Sequence, residues 1–260
     1  MGNAVISVKL PPQSSIMGVM TRAVVKASKG LLRDFSELEN LQVSVKGSKA
    51  FVTSADLKSD QILRQELLHA RPAYSLLSEE SGEVAGEDGS CRWIIDPLDG
   101  TVNYMHGFPH WAISVALEKN DEIVAAITYD PIKNEMFWAE KGCGAHMNDR
   151  KIRVAGKNSL SGVLVTVATP TEPLLSRLES FSASIRKTGS ATLNLAYLAA
   201  GRTDVMYPSV SPNKWDMAAG MLLLREAGGA FAAQDGRLTD NYAEVFVASN
   251  MDLLPLAAKI

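Results

Sequence analysis

The chain has 260 residues, enough for one large domain or two small ones. Its 46% apolar and 21% charged content is an ordinary globular balance, and a net charge of −3 argues against a nucleic-acid footprint. No window approaches the roughly 18 apolar residues of a membrane span, and the two cysteines, Cys91 and Cys143, offer no pairing framework, which fits reduced thiols in a cytoplasm.

The opening segment "MGNAVISVKLPPQ" is too short, and too interrupted by Lys9 and prolines, for a signal peptide; Ile6 stands where a myristoylation signal has Ser or Thr. Over 15–38, Ile16, Met20, Val24, Ala27, Leu31 and Phe35 recur at helical spacing, with Ser14 or Ser15 as cap, and the apolar stripe reads as core or a subunit interface. A second helix is expected over 54–70, with Ser54 as N-cap and Pro72 as stop. Short strands are expected at 74–78 and 91–95, then at 111–119, 122–130 and 134–140. Between the last three, "KNDE" and "DPIKNE" read as tight turns of an antiparallel meander. The remainder alternates: strand 162–167, helix 171–180, strand 184–187, helix 190–200, strand 204–207, helix 215–227, strand 243–248. The texture changes near residue 150 without a linker. The expectation is therefore two packed halves, 1–150 of α+β character and 151–260 of α/β character.

Acidic residues stand where these elements end. Asp56 falls in the first turn of the second helix, Glu79 and Glu80 end the strand of "YSLLSEES", Asp96 and Asp99 end "CRWIIDPLDG", and Asp216 starts an Ala-rich helix. Carboxylates gathered at such buried edges repel one another and lose hydration. A hard divalent cation answers both problems: Mg²⁺ takes oxygen ligands and shares its shell with phosphates. Two such ions about 4 Å apart can activate a water and stabilise a leaving oxygen. In "WIIDPLDGTVNY" (93–104), Pro97 is expected to stop sheet pairing and bend the chain, aiming Asp96 and Asp99 at one point with the Leu98 carbonyl as a further ligand. Gly100 permits a close backbone approach, and a short helix begun by "GTVNYM" offers free N–H groups to a phosphate.

Plainer readings stand beside these. Asp56 and Asp216 could serve only the dipoles of their helices, Glu79 and Glu80 could be a solvated strand end, and "DPLDG" a polar turn. His106 and His110 have the i, i+4 spacing of a helical metal pair, but Pro109 lies between them. His69 reads as a helix-surface residue and His146 as a loop residue. No zinc spacing, Walker loop or nucleophile elbow is present, and Gly228 in "EAGGAF" reads as a helix C-cap.

"SEES" (78–81), "WIIDPLDGT" (93–101) and "WDMAAGMLLLREAGG" (215–229), with "VTSADL" (52–57) and "TGSATLNLAYLAAGRTD" (188–204), resemble the inositol monophosphatase family in order and spacing. The resemblance implies a lithium-sensitive, Mg²⁺-dependent phosphatase. Its fold would be a layered αβαβα sandwich, α+β then α/β, with an antiparallel sheet in the first half and a mixed sheet in the second. It would be a cytoplasmic homodimer with two to three Mg²⁺ ions. Glu79, Asp96 and the Leu98 carbonyl would hold one ion, Asp96, Asp99 and Asp216 a second, and Glu79 a weaker third. Most ligands thus fall in 1–150, and Asp216 with the substrate-side residues in 151–260. Thr101 and Asp56 would orient and deprotonate the attacking water, the Gly100 and Thr101 amides would grip the phosphate, and Glu80 would stand behind Glu79. Gly189, Ser190 and Ala191 match the family's substrate side. One departure is Ser209, where inositol-recognising members carry glutamate. Relatives act on other small monoesters, including fructose bisphosphate, histidinol phosphate and phosphorylated adenosine nucleotides. Some bacterial relatives regulate the transcription machinery, and the complete set of acids argues against a purely non-catalytic role.

Overall fold

The computed structural model describes residues 14–41 and 45–260, and side chains outside 38–53. The opening segment and the first residues of "VTSADL" thus lie outside the described side chains. Two helices come first, α1 (Ser15–Leu41) and α2 (Val45–Ala70). Ser14 caps α1, its Oγ accepting from Met17 N at 3.2 Å. The stripe Met17, Met20, Val24, Ala27, Leu31 and Phe35 is buried core. α2 begins earlier than expected, so Ser54 is not its cap and Asp56 lies about three turns inside it. Asp56 is consequently no first-turn acid, and the dipole reading of it is removed.

Eight strands follow as one sheet: β1 (Tyr74–Ser78), β2 (Gly82–Val84), β3 (Asp88–Asp99), β4 (Ala112–Lys119), β5 (Glu122–Asp130), β6 (Glu135–Glu140), β7 (Gly144–Met147) and β8 (Arg150–Lys151). Their order is β2-β1-β3-β4-β5-β6-β7-β8. The expected meander is present, with Asn120 and Asp121 both in the left-handed region at its first turn, as a two-residue hairpin requires. The sheet is not wholly antiparallel, because β1 runs parallel to β3. His146 belongs to β7 and stacks on Trp138 at 4.3 Å; it is not a loop residue. The short α3 (Thr101–Met105) links β3 to β4.

The second sheet contains β9 (Leu164–Val167), β10 (Ser184–Arg186), β11 (Val205–Tyr207), β12 (Gly229–Ala232) and β13 (Val247–Asn250), ordered β10-β9-β11-β13-β12. Its helices are α4 (Glu172–Ser180), α5 (Ala191–Ala199), α6 (Lys214–Glu226) and α7 (Leu254–Ala257). The strand expected over 243–248 starts later, at Val247, after a 3₁₀ turn at Tyr242–Glu244. The strand β12 had no alternating pattern to reveal it. It begins directly after Gly228, whose φ of +88° ends α6 as expected of a C-cap.

The layers are αβαβα. Large residues on one face of the first sheet (Trp93, Ile95, Ile113, Val115, Ile127, Trp138) pack under α1 and α2. The opposite face carries Ala112, Ala116, Ala126 and Ala139 beside the larger Ile94 and Phe137, and receives α5 and α6. These two helices meet so closely at Gly220 that a Cβ there would lie 2.4 Å from the Leu195 Cβ. The second sheet covers them, with α4 and α7 outside it. Among the described residues no helix is long and apolar enough to cross a membrane, and Cys91 and Cys143 are both free thiols.

Candidate active site

The loop of "DPLDG" is built differently from the expected break. Pro97 does not end the pairing: the ladder shifts register after Asp96 and resumes with Asp99 opposite Ala112. The result is a bulge, which bends a strand and re-aims its side chains. Asp96 is 1% exposed and Asp99 8%. Asp96 Oδ1 accepts from Leu98 N at 3.0 Å, which stabilises the bend, while Asp96 Oδ2 is buried with no hydrogen-bond partner. The Pro97 carbonyl accepts from Ser59 Oγ of α2 at 2.9 Å, and the Leu98 carbonyl accepts from the Thr101 hydroxyl at 3.1 Å. Gly100 has φ +92°, and a Cβ on it would lie 3.0 Å from the His110 carbonyl oxygen. Its close approach is thus to the chain's own 110–111 segment as α3 opens.

Asp99 ties this loop to the second half of the chain. Its Oδ2 accepts from Ser190 Oγ at 2.5 Å, Thr192 N at 2.8 Å and Thr192 Oγ1 at 2.6 Å, and its Oδ1 from Ala191 N at 3.3 Å. These donors are the N-terminus of α5, where a carboxylate is favoured. Ser190 also caps the helix, accepting from Leu193 N. Asn103 is a second tie: its amide donates to the His110 carbonyl at 2.7 Å and the Thr188 carbonyl at 2.8 Å. Asp99, Ser190 and Ala191 are therefore brought together, while Thr101 bonds the Leu98 carbonyl of its own loop; Gly189, with φ +83°, is packed on Asn103.

Glu79 lies in the turn after β1, with its N–H bonded to the Ile95 carbonyl. Its side chain is open to solvent on one side, yet it sits against Asp96. Burial, then Asp216, pushes its carboxyl up to about 7. Asp96 itself is raised well above the usual carboxylate range by burial and by Asp99, Glu79, Asp216 and Asp56. Asp216 is raised to about 6 by burial and Asp99, although Asn213 N donates to its Oδ2 at 3.2 Å. Asp56, raised to about 8 by burial and Glu80, contacts Glu80, and its Oδ1 is also buried and unpartnered. The five candidate acids thus feel one another across one site, and no ion pair among the described residues neutralises any of them.

Two unpartnered buried carboxylate oxygens in an all-oxygen donor set fit a hard divalent cation. Among the described residues, though, no three acidic, His or Cys side chains are already gathered as a ready ligand group. Asp99 and Asp216 spend oxygens on helix N-termini. His106 is exposed beyond the end of α3, whereas His110 is buried against Tyr197; they share no helix face. Ser209 stands on the wall of a cavity of about 650 Å³ with Thr169, Tyr207, Gln234 and Asp235, a lining that includes none of the five acids.

Several supporting residues escaped the sequence reading. Asp60 accepts from Ser78 Oγ at 2.5 Å and Ser81 Oγ at 3.2 Å, pinning the "SEES" turn to α2. A signal existed: Asp56, Ser59, Asp60, Leu63 and Leu67 follow helical spacing, and polar residues on an apolar stripe mark a buried polar site. Thr192 and Asn103 gave no comparable signal, because the contacts that join the two halves, Thr192 with Asp99 and Asn103 with the Thr188 carbonyl, span 93 and 85 residues.

The inositol monophosphatase family model matches residues 13–259. The inositol-1-monophosphatase of Rhizobium meliloti is 48% identical over 84% of this chain and 85% of its own. The Nus factor SuhB of Xylella fastidiosa is 40% identical over 84% of this chain and 81% of its own. The crystal structure of the extragenic suppressor protein suhB of Bartonella henselae superposes with a TM-score of 0.85 at 40% identity, covering 95% of this chain and 100% of that one.

Proposed function

The chain belongs to the inositol monophosphatase family, and on that premise we propose a magnesium-dependent, lithium-sensitive phosphomonoesterase of inositol monophosphate and similar small polyol phosphates. The observation that carries the proposal is Asp96: buried, with one oxygen unpartnered, and facing other acids with no protein cation to neutralise it. In this reading Glu79, Asp96, Asp99, Asp216 and the Leu98 carbonyl hold two to three ions. Bound Mg²⁺ supplies charge stabilisation to the phosphoryl group and acidifies water.

The chain's own part is placement. Asp56 and the Thr101 hydroxyl orient the attacking water and take its proton, Asp56 from a buried position beside Glu80. The Gly100 and Thr101 amides hold the phosphate where α3 opens, and Asn103 and Asp99 keep the 189–191 segment beside it. Ser209 supplies no carboxylate for sugar hydroxyls, so the enzyme is proposed to accept several small monoesters. We further propose a cytoplasmic homodimer.

A phosphate-release assay over inositol monophosphate, glycerol 2-phosphate, fructose bisphosphate, histidinol phosphate and phosphorylated adenosine nucleotides, with and without Mg²⁺, tests this reading. Metal-dependent release from inositol monophosphate supports it; uniform inactivity with Mg²⁺ overturns it. That inactivity would favour a second reading, a regulator bound to the transcription machinery, which the Nus factor SuhB relatives bring into view.

A further inference from the structure

Arg92 and Glu118 face each other across the β3–β4 ladder. Asp96 is four residues further along β3 and so points to the same face. Glu118 is 5% exposed, which calls for a partner for its charge. Its Oε2 accepts from Arg92 Nε at 2.8 Å and Nη2 at 2.5 Å. Its Oε1 accepts from Lys214 Nζ. Arg92 Nη1 reaches on to Glu83 of β2 at 3.0 Å. One line of charges therefore runs from β2 through β3 and β4 to α6.

Lys214 is the first residue of α6, and Asp216 is two residues on. A cation at a helix N-terminus opposes the helix dipole, so this lysine is locally unfavourable and is compensated by Glu118. The polar contacts of Asp216 itself are local, to Asn213 in its own turn. They orient the carboxylate on the helix but do not fix the helix on the sheet. Apolar packing on the first sheet holds the body of α6; at its N-terminal turn the Glu118–Lys214 contact adds a polar tie, reaching from the strand paired with the Asp96 strand.

We propose that Glu118 is a positioning residue for the carboxylate site: through Lys214 it fixes the N-terminal turn of α6 on the β3–β4 pair, and so sets Asp216 opposite Asp96. The inference rests on the metal-site reading above. A buried ion pair by itself is weak evidence of anything but local order, so the test must read the site and not stability.

Mg²⁺ binding to the full chain is measured by titration calorimetry, which does not depend on turnover, for wild type, Glu118→Gln, Lys214→Met, the double variant and Lys214→Arg. Residues supporting metal ligands typically change affinity about 10–100-fold; each single loss is expected to weaken binding about tenfold. Because the two side chains act as one contact, the double variant should be no weaker than the weaker single. Lys214→Arg, which keeps the cation, should bind like wild type. Folded single variants that bind within about twofold of wild type, or losses that multiply in the double variant, overturn the proposal. Should Glu118→Gln fail to fold, Lys214→Met and Lys214→Arg decide it alone. A wild type that takes up no Mg²⁺ removes the metal-site reading and this inference together, whereas a binding wild type with unchanged variants removes only the inference.

Discussion

The two ends of one strand pair treat buried acid in opposite ways. At the Arg92 end, Glu118 is surrounded by Arg92 and Lys214, and its hydrogen bonds with Lys214 and Arg92 outweigh burial and hold its carboxyl below the usual range. At the Asp96 end, burial and four other acids push a carboxyl well above that range, with no lysine or arginine paired to it among the described residues. The fold places basic side chains against Glu118, Asp130 and Asp204. Asp96, with the buried Asp56 and Asp99 of the same site, is left without one, whereas the other described buried acids have a basic partner. Uncompensated acid of this kind marks a functional site more often than a structural one.

The largest expected effect is at Asp96. Asp96→Asn should lower phosphate release on the order of 10³-fold, the scale of losing a charge-stabilising group, while raising the melting temperature of the chelator-treated protein by relieving repulsion. Near-normal turnover at saturating Mg²⁺ would erase the contrast between the two ends. Thr101→Ala should lower turnover about 10²-fold, the lower range for losing proton-transfer machinery, with Mg²⁺ affinity nearly kept. A change in metal affinity alone would reduce Thr101 to its bond with the Leu98 carbonyl.

Smaller, and away from the strand pair, is Ser209→Glu. A hydrogen bond to a charged acceptor is worth roughly 1.5–3 kcal/mol. The ratio of kcat/KM for inositol monophosphate to that for glycerol 2-phosphate should therefore rise at least about tenfold. A wild type already strongly selective for inositol would assign the missing acceptor elsewhere.

The smallest effect is in stability against pH. In the unfolded chain these carboxyls titrate near 4; in the fold Asp216 does so at about 6, Glu79 at about 7 and Asp56 at about 8. The folded chain binds more protons across that window, so its stability falls as pH rises from about 4 to 8. Glu118 has the opposite sign, its contribution being present above the ordinary carboxylate value and lost as pH falls through its lowered one. In chelator, the melting temperature should fall as pH rises from 5 to 8. Saturating Mg²⁺ should flatten the fall. A melting temperature that climbs over this range would show that the acids do not repel one another.

The sequence by itself determined the elements whose signal is local. Helical spacing placed α1, and strand-like runs separated by the turns "KNDE" and "DPIKNE" placed β4, β5 and β6. The motifs carried the family and its layered fold, and nominated Asp56, Glu79, Asp96, Asp99 and Asp216. It missed the start of α2 and the strands β2, β7, β8 and β12, which are short or carry no alternating period. Tertiary structure alone decided that Pro97 makes a bulge within a continuing strand, because the register of β4 lies beyond the local window. It also decided that Asp99 closes on α5, that Asn103 grips residue 188, and that Glu118 rather than Asp96 receives the cations. Each is a contact between residues about 26 to 96 positions apart, for which spacing carries no information; the side chain's partner is set by which surfaces the two sheets and their helices bring face to face.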